Sequence, residues 1–250
     1  MRMPYVGCAG WRLPKSLQPE FPGSGTHLAR YGRRLPATEI NRSFYGPIRH
    51  ELYAKWASEV PSGFRFAVKM PRSLTHHQRL RATEGLAEFL EATEGLGEKR
   101  GPLLLQLPPS LAFESDAVQR FLEVLREAFS GSVVCEPRHS SWFTSEVDAL
   151  LRRFAVARVA VDPPPVEGAA EPGGCPDTVY VRLHGSPQRF YSAYSADFLR
   201  RLGGDLRKHA AGADTWCIFN NTATDSGLHN ALDLQRMVTG ASGHQDASGR

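Results

Sequence analysis

Polar and charged side chains that could do chemistry follow one another at the ends of short apolar runs in this sequence. They comprise two glutamates, a lysine, an arginine, a histidine and several amide or acidic residues: Glu39, Asn41, Lys69, Gln106, Glu136, Asp162, Arg182, His184, Asn220 and Asn221. Carboxylates of this kind serve as general acids or bases when neighbouring charges and burial adjust their pKa. The set therefore predicts a polar pocket assembled from many segments of the chain.

Four of these residues are candidates for the catalytic steps. Glu39 and Glu136 are the predicted general acid and base, and the alternative is that each only pairs with Lys69 or Arg182. Lys69 could form a Schiff base with a carbonyl substrate. An electrostatic role is favoured because several acidic residues are available to keep Lys69 protonated. His184 is the fourth candidate, since it lies two positions after Arg182 and shares its side of a strand.

Other residues have the chemistry to bind a substrate. Arg138 and Arg182 could hold a phosphate or carboxylate, because a planar guanidinium binds such groups through two hydrogen bonds. His76 lies in a segment after a predicted strand, and Asn220 and Asn221 could bind hydroxyl groups or fix a turn.

Aromatic residues lie in the segments that follow the polar positions, and they are Trp11, Phe44, Tyr45, Trp142, Tyr191 and Tyr194. Trp11, Tyr45, Trp142 and Tyr191 are the predicted substrate contacts among them, because aromatic rings stack on bases and sugars. The alternative is a structural polar layer that caps a core. Such a layer needs no exposed aromatic residues around it, so their exposure is part of the prediction.

Eight apolar runs alternate with stretches of helical periodicity and predict the elements that carry these side chains. The predicted strands are Tyr5–Gly10, Ala37–Asn41, Arg65–Lys69, Pro102–Gln106, Ser132–Glu136, Val156–Asp162, Thr178–His184 and Thr215–Asn220. Several are apolar at consecutive positions, which is typical of parallel strands buried on both faces. Strand parity further pairs Ala67 with Lys69 and Ala160 with Asp162, so that a small residue would leave room for each inward charged one.

The alternation predicts an α/β fold, a TIM-type (β/α)₈ barrel of eight parallel strands, with functional residues at the carboxyl ends of the strands. The segment 163–176 (PPPVEGAAEPGGCP) is rich in proline and glycine, so an irregular loop is expected in place of the sixth helix. Residues 1–239 are predicted to form one domain, and the small, polar tail 240–250 is predicted to be disordered.

Composition limits the class of protein further. The net charge is +4 and the four cysteines form no C-x-x-C pair, so a zinc or redox motif is not indicated and a reducing cytoplasm is expected. A sequence pI of about 9.0 is compatible with a phosphate-bearing partner or a nucleic acid without requiring either. We expect no signal peptide, since the chain begins without an extended apolar region, and no association with a membrane.

Several strings, taken in order, resemble the YecE-like family (domain of unknown function seventy-two). They are VGCAGW (Val6–Trp11), TEINRSFY (Thr38–Tyr45), FRFAVKMPRSLTH (Phe64–His76), LLQLPPS (Leu104–Ser110), EPRHSSW (Glu136–Trp142), YVRLHG (Tyr180–Gly185) and FNNT (Phe219–Thr222). The resemblance extends to about Met237 and implies a (β/α)₈ barrel. Cys8 and Ala9 stand where Thr and Ser are common in the family, and Pro137 replaces an aromatic residue.

The family's activity is not established, so the function is predicted from the pocket. We expect a hydrolase or lyase that acts on a phosphorylated or polyhydroxylated substrate, with a nucleic-acid phosphodiester as one form of it. The alternatives are a non-catalytic ligand-binding barrel and, more weakly, a metal-dependent sugar isomerase.

The cofactor and the oligomeric state are left open by the sequence. Glu39, Glu136, Asp162 and His184 would make a magnesium or manganese site, although interspersed cationic residues oppose it, and no metal ligand is assigned. A glycine-rich phosphate loop or dinucleotide motif is not evident, so no nucleotide cofactor is expected.

Overall fold

One curved sheet forms a nearly closed barrel in the computed structural model, which describes residues 2–221 and 223–240. Its ten strand segments are β1 Tyr5–Ala9, β2 Ala37–Ile40, β3 Arg65–Lys69, β4 Arg100–Gln106, β5 Val133–Glu136, β6 Val156–Arg158, β7 Ala160–Asp162, β8 Gly173–Gly174, β9 Thr178–Leu183 and β10 Asp214–Phe219. The order across the sheet is β7-β9-β10-β1-β2-β3-β4-β5-β6-β8. All pairings are parallel except that of β6 with β8. The predicted fold class is therefore confirmed.

The count of ten segments differs from the predicted eight for a local reason. The predicted strand Val156–Asp162 is divided at Val159: β6 pairs with β5, and β7 pairs with β9 on the other side. The Val159 amide still donates to the Cys135 carbonyl at 2.8 Å. This interrupted strand therefore bridges the two sides of the barrel, and the short β8 is an addition to β6.

Eight α-helices are found in the described ranges. They are α1 His27–Tyr31, α2 Arg42–Tyr45, α3 His50–Ser58, α4 Leu86–Thr93, α5 Ser115–Ala128, α6 Ser145–Arg153, α7 Ala196–Ala210 and α8 Ser226–Thr239. Within 163–176 the structure has no helix, and the segment contributes only β8, so the irregular sixth crossover is confirmed. No helix in the described ranges is long and apolar enough to cross a membrane. The tail predicted to be disordered lies outside the described residues beyond Gly240.

The core is divided by the sheet into two parts. The larger part lies between the strands and the helices, where outward residues such as Phe66 and Leu183 pack. The smaller part fills the barrel and consists of Ala37, Ala67, Leu104, Val134, Ala157, Val159, Val161, Tyr180, Trp216 and Ile218. Because side chains alternate along a strand, membership of the inner cluster shows which face of each strand points into the barrel.

Candidate active site at the barrel mouth

A chain of buried ion pairs caps the inner core at the carboxyl ends of the strands. Arg182 on β9 lies at its centre and is 1% exposed, while Glu39 and Glu136 are both fully buried. Arg182 donates from Nε and Nη2 to the two carboxylate oxygens of Glu39, at 3.0 and 2.8 Å. Its Nη1 donates to Oε2 of Glu136. The Tyr180 hydroxyl also donates to Glu39, at 2.9 Å.

Glu136 has a second cationic partner. Arg138 donates to Glu136 Oε1 from Nε at 2.9 Å and from Nη2 at 2.7 Å. Burial alone would raise the pKa of Glu136, but Arg182 and Arg138 outweigh it and lower the pKa to about 2. The same carboxylates overcome the effect of burial on Arg182 and raise its pKa. Both carboxylates are thus held in ion pairs, and Glu136 is a weak base at neutral pH.

Lys69 lies in this cluster without a direct carboxylate partner among the described residues. Its Nζ is 3.9 Å from the centroid of the Phe44 ring in α2. Burial and the charge of Arg182 lower the pKa of Lys69 to about 8, although Glu39 and Glu136 act in the opposite direction. Glu39 and Glu136 thus favour the protonated form of Lys69 as the sequence suggested, but Lys69 forms no ion pair with either of them.

His76 contacts the same aromatic ring as Lys69. It belongs to a π-helical turn, Ser73–His77, and its ring centroid is 5.0 Å from that of Phe44. Thr75 donates its hydroxyl to the Pro71 carbonyl and lies 2.8 Å from His76 Nδ1. A hydrogen bond therefore joins Thr75 to His76 Nδ1, and Nε2 is the ring nitrogen left to contact a ligand. Burial, together with the charge of Lys69, lowers the pKa of His76 to about 4, so its ring is neutral.

His184 is buried above Arg182 on the inner face of the barrel. Asn220 Nδ2 lies 3.1 Å from His184 Nδ1, so Nδ1 accepts and the proton lies on Nε2. Nε2 is 4.0 Å from Glu136 Oε1 and has no hydrogen-bond partner among the described residues. Burial and Arg182 lower the pKa of His184 to about 3, so this contact is not an ion pair despite its distance.

Arg189 is a further member of the cluster that the sequence did not predict. It lies in the segment between β9 and α7, where burial and the charge of Arg138 lower its pKa. Its Nε and Nη2 atoms are buried, with no hydrogen-bond partner in the described ranges. The sequence feature that could have identified Arg189 is its place in the segment after the predicted strand that carries Arg182 and His184, because such segments form the functional face of a barrel.

The segment that carries Arg189 is fastened at several points. The Tyr194 hydroxyl accepts from the Gly185 amide at 2.9 Å, and Asn221 donates to the Ser192 carbonyl at 2.9 Å. Gly185 has φ of +90°, and a Cβ there would lie 2.9 Å from the Ser192 carbonyl oxygen. Glycine is therefore required at this turn. Asn221 is fully buried and fixes this turn, one of the two roles that the sequence left open for it, while its Oδ1 has no hydrogen-bond partner among the described residues.

Asp162 does not face the barrel mouth as strand parity had suggested. Val161, its neighbour, belongs to the inner cluster, so Asp162 points outward and its Oδ1 accepts from the Tyr194 hydroxyl at 2.8 Å. Parity shows which residues share a face, but it does not show which face is inside. The metal site considered for Glu39, Glu136, Asp162 and His184 is consequently not assembled. The described residues contain no group of three or more potential metal ligands.

The predicted aromatic contacts divide into three groups. Tyr45 and Tyr191 are 70% and 49% exposed at the rim. Trp142 is fully buried and donates to the Leu111 carbonyl at 2.9 Å, and Tyr194 is also buried, so their predicted exposure is wrong. Trp11 is half-buried and packs edge-on against Trp56 of α3, outside the ring of charges.

Two amide side chains have intermediate positions. Asn41 lines a shallow groove with Trp11 beside the mouth, and its Oδ1 is buried without a hydrogen-bond partner in the described part of the chain. Gln106 lies on the inner face of β4, is 4% exposed and donates to the Leu107 carbonyl at 2.7 Å. The mouth thus brings together Glu39, Lys69, His76, Glu136, Arg138, Arg182, His184 and Asn220, to which the structure adds Phe44, Tyr180 and Arg189.

A barrel with a charged mouth of this kind defines a broad class of α/β proteins, and comparison with known proteins specifies the family. The model of "Protein of unknown function DUF72" matches residues 5–248, so the chain belongs to this family. It is 31% identical over 174 residues to the UPF0759 protein YecE of Escherichia coli (strain K12), a match that spans 67% of this chain and 62% of YecE.

Two further comparisons agree with this assignment. The UPF0759 protein YunF of Bacillus subtilis (strain 168) is 31% identical over 153 residues, covering 57% of this chain and 53% of YunF. A DUF72 family protein (TM1631) from Thermotoga maritima MSB8 has a crystal structure that superposes with a TM-score of 0.79 at 26% identity. That superposition covers 95% of this chain and 99% of the other, so the fold is common to both along nearly their whole length.

Proposed function

We propose that this protein is an enzyme that binds a small anionic, hydroxyl-bearing substrate at the barrel mouth, and that it is a lyase rather than a hydrolase. The observation that carries the proposal is the imbalance of charge there. Among the residues that the structure describes, four cationic side chains, Lys69, Arg138, Arg182 and Arg189, face two carboxylates, Glu39 and Glu136. His76 and His184 are neutral and do not alter that balance.

The excess charge is accompanied by polar atoms that lack partners. The guanidinium of Arg189 and Nε2 of His184 present buried donors that are unsatisfied within the described ranges. Buried polar groups are ordinarily hydrogen-bonded, and leaving one unpaired costs about 1–3 kcal/mol. A phosphate or carboxylate group would accept hydrogen bonds from these donors and balance the charge. Asn41 Oδ1, in the groove that it lines with Trp11, is an unsatisfied acceptor within the described ranges and suits a hydroxyl group.

The preference for a lyase follows from the state of the two glutamates. A hydrolase that works through a carboxylate pair needs one carboxyl group as an acid and the other as a base. Here Arg182 binds both carboxylates, so neither is free to act as the acid or the base of such a pair. Glu136, with a pKa of about 2, is in addition a weak base. The glutamates instead hold Arg182 in place. Among the described residues, the side-chain nitrogen atoms of Lys69 and His76 are not bound by a carboxylate, so these two residues are the ones available to react.

Calorimetric titration with inorganic phosphate tests the proposed anion site. Arg189→Gln should weaken binding at least about tenfold, because a hydrogen bond to a charged group contributes about 1.5–3 kcal/mol. Arg200→Gln is the matched control, since Arg200 lies on α7 with its side chain 63% exposed and forms an ion pair with the neighbouring Asp197. Equal affinities for wild type and Arg189→Gln, or no binding to wild type, would overturn the anion site.

A further inference from the structure

We propose that Lys69 is a covalent catalytic residue whose amine forms a Schiff base with an aldehyde or ketone group of the substrate. This inference rests on the proposed function and narrows the substrate class to anionic, hydroxylated carbonyl compounds. Three features of the geometry carry it: the contacts of Nζ, the histidine beside it, and the anion-binding groups around it.

The first feature is the surroundings of the amine. Nζ lies against the face of Phe44 and, among the residues that the structure describes, it forms no ion pair. An amine must be deprotonated to attack a carbonyl carbon, and a nearby carboxylate would oppose that. The cationic neighbours Arg182 and Arg138 favour the neutral amine, against the influence of Glu39 and Glu136. At a pKa of about 8, a substantial fraction of the amine is neutral at physiological pH.

The second feature is a proton carrier that packs on the same aromatic ring as the amine. His76 shares the Phe44 ring with Lys69, and its own ring is neutral, with Nδ1 hydrogen-bonded to Thr75. Such an imidazole is suited to moving protons between the groups that react. Its partial exposure allows a substrate to approach it from the mouth.

The covalent step balances with these two residues. The lone pair of Nζ attacks the carbonyl carbon, and the C=O π electrons move to oxygen. The neutral His76 ring relays the proton released from nitrogen to that oxygen, which gives a neutral carbinolamine. A second proton, taken up from solvent water through His76, protonates the hydroxyl group, so that water leaves and the C=N bond forms, protonated at nitrogen. The resulting iminium accepts the electron pair of the bond between the α and β carbons of the substrate, which is the bond that a lyase of this class breaks.

The third feature is the placement of the anion groups. Arg138 donates two hydrogen bonds to Glu136 in this cluster, and its charge lowers the pKa of both Lys69 and Arg189. A phosphate or carboxylate that they bind would hold a substrate carbonyl near the amine. Positioning of this kind converts an encounter between two molecules into a step within one complex.

Reductive trapping of the Schiff base tests the proposal. The chain has five lysines, so the four other than Lys69 serve as internal controls. Wild-type protein is incubated with dihydroxyacetone phosphate and sodium cyanoborohydride, which reduces the iminium to a stable secondary amine, and the adduct is located by peptide mass spectrometry. Lys15 and Lys55 are exposed, and Lys99 donates to two backbone carbonyls at 2.6 Å. We expect modification at Lys69 at least about tenfold above that at Lys15 and Lys55.

Two further experiments distinguish a failure of the covalent role of Lys69 from a failure of the proposed anion site. Lys69→Arg keeps the charge, so it should bind phosphate while losing the adduct. Dihydroxyacetone, which lacks the phosphate, should label Lys69 more slowly in wild type, and Arg189→Gln should remove that difference between the two reagents. Labelling spread equally over the exposed lysines, with phosphate binding intact, would overturn the covalent role alone. Selective labelling of Lys69 by both reagents at the same rate would instead count against the anion site and leave the nucleophile supported.

Discussion

Both ends of the barrel contain buried or partly buried arginines, yet they differ in how those arginines are satisfied. At the amino-terminal ends of the strands, Arg65, Arg100 and Trp216 help to line a cavity of about 340 Å³. Arg65 donates to the carbonyls of Ser62 and Phe64 at 2.8 and 3.0 Å. Arg100 donates to Thr93 Oγ1 at 3.1 Å and lies 4.8 Å from the centroid of the Phe129 ring.

At the carboxyl ends, by contrast, the cationic groups are only partly satisfied. Arg182 is fully occupied by two carboxylates, whereas Arg189 retains buried donors without partners in the described ranges. A cavity lined by arginine is therefore a weak indication of function by itself. The stronger indication is a set of buried polar atoms that the protein leaves unpaired and that share the chemistry of one ligand.

The largest difference between the ends should appear in stability. Arg182→Met leaves Glu39 and Glu136 buried without their central partner, so the free energy of unfolding should fall by about 3–5 kcal/mol. Arg100→Met removes contacts to neutral groups and should cost about 1 kcal/mol. Urea denaturation of the two variants measures the contrast, and equal losses would mean that the mouth network does not have the energetic weight assigned to it.

Tyr180 links the two ends of the barrel, and its hydrogen bond should contribute less to stability than Arg182 does. Tyr180 stacks on Trp216 with centroids 5.9 Å apart and donates its hydroxyl upward to Glu39. Tyr180→Phe keeps the stacking but removes the donor, so we expect a loss of about 1–2 kcal/mol in urea denaturation. Tyr5→Phe is the matched control, because the described residues provide no hydrogen-bond partner for the Tyr5 hydroxyl. A loss as large for Tyr5→Phe would argue against the role of the Glu39 contact.

Low pH should lower the free energy of unfolding, chiefly through buried titratable groups at the barrel mouth. The pKa of His184 falls from 6.5 to about 3 on folding, and that of Glu136 falls from 4.5 to about 2, so the unfolded chain binds more protons in acid. The free energy of unfolding should therefore decrease as the pH falls below 6.5 and continue to decrease towards pH 3. His184→Gln should show a shallower decrease between pH 6.5 and 4.5 when unfolding is followed by circular dichroism. An unchanged slope would contradict a neutral, buried His184.

The smallest effect concerns anion affinity and pH. Because the pKa of Lys69 is about 8, raising the pH through 8 should neutralise the amine and weaken sulfate binding a few-fold, as the loss of one charge near the anion contributes about 1 kcal/mol. Sulfate is the probe because its own charge is constant in this range. Lys69→Arg should bind sulfate equally at pH 7 and pH 9, and a parallel decline in that variant would assign the pH dependence to another group.

The sequence determined the positions of the strands and the arrangement of most of the mouth. Apolar runs separated by helical periodicity gave the barrel, since parallel strands covered on both faces need consecutive apolar residues. The same runs identified Glu39, Lys69, Glu136 and Arg182, because each is the last or the next-to-last residue of its strand and the carboxyl ends of barrel strands meet on one face.

Tertiary structure decided what those side chains do. Sequence parity could not show that Val161 rather than Asp162 faces inward, because the division of the strand at Val159 is set by pairing with two different neighbours. Nor could it show that Trp142 is buried, or that Arg189 reaches the mouth from a long connection. The pairing of both glutamates with Arg182, and the absence of such a partner for Lys69 within the described residues, depend on distances across the barrel. Those distances join residues from strands far apart in the chain, and only closure of the sheet defines them.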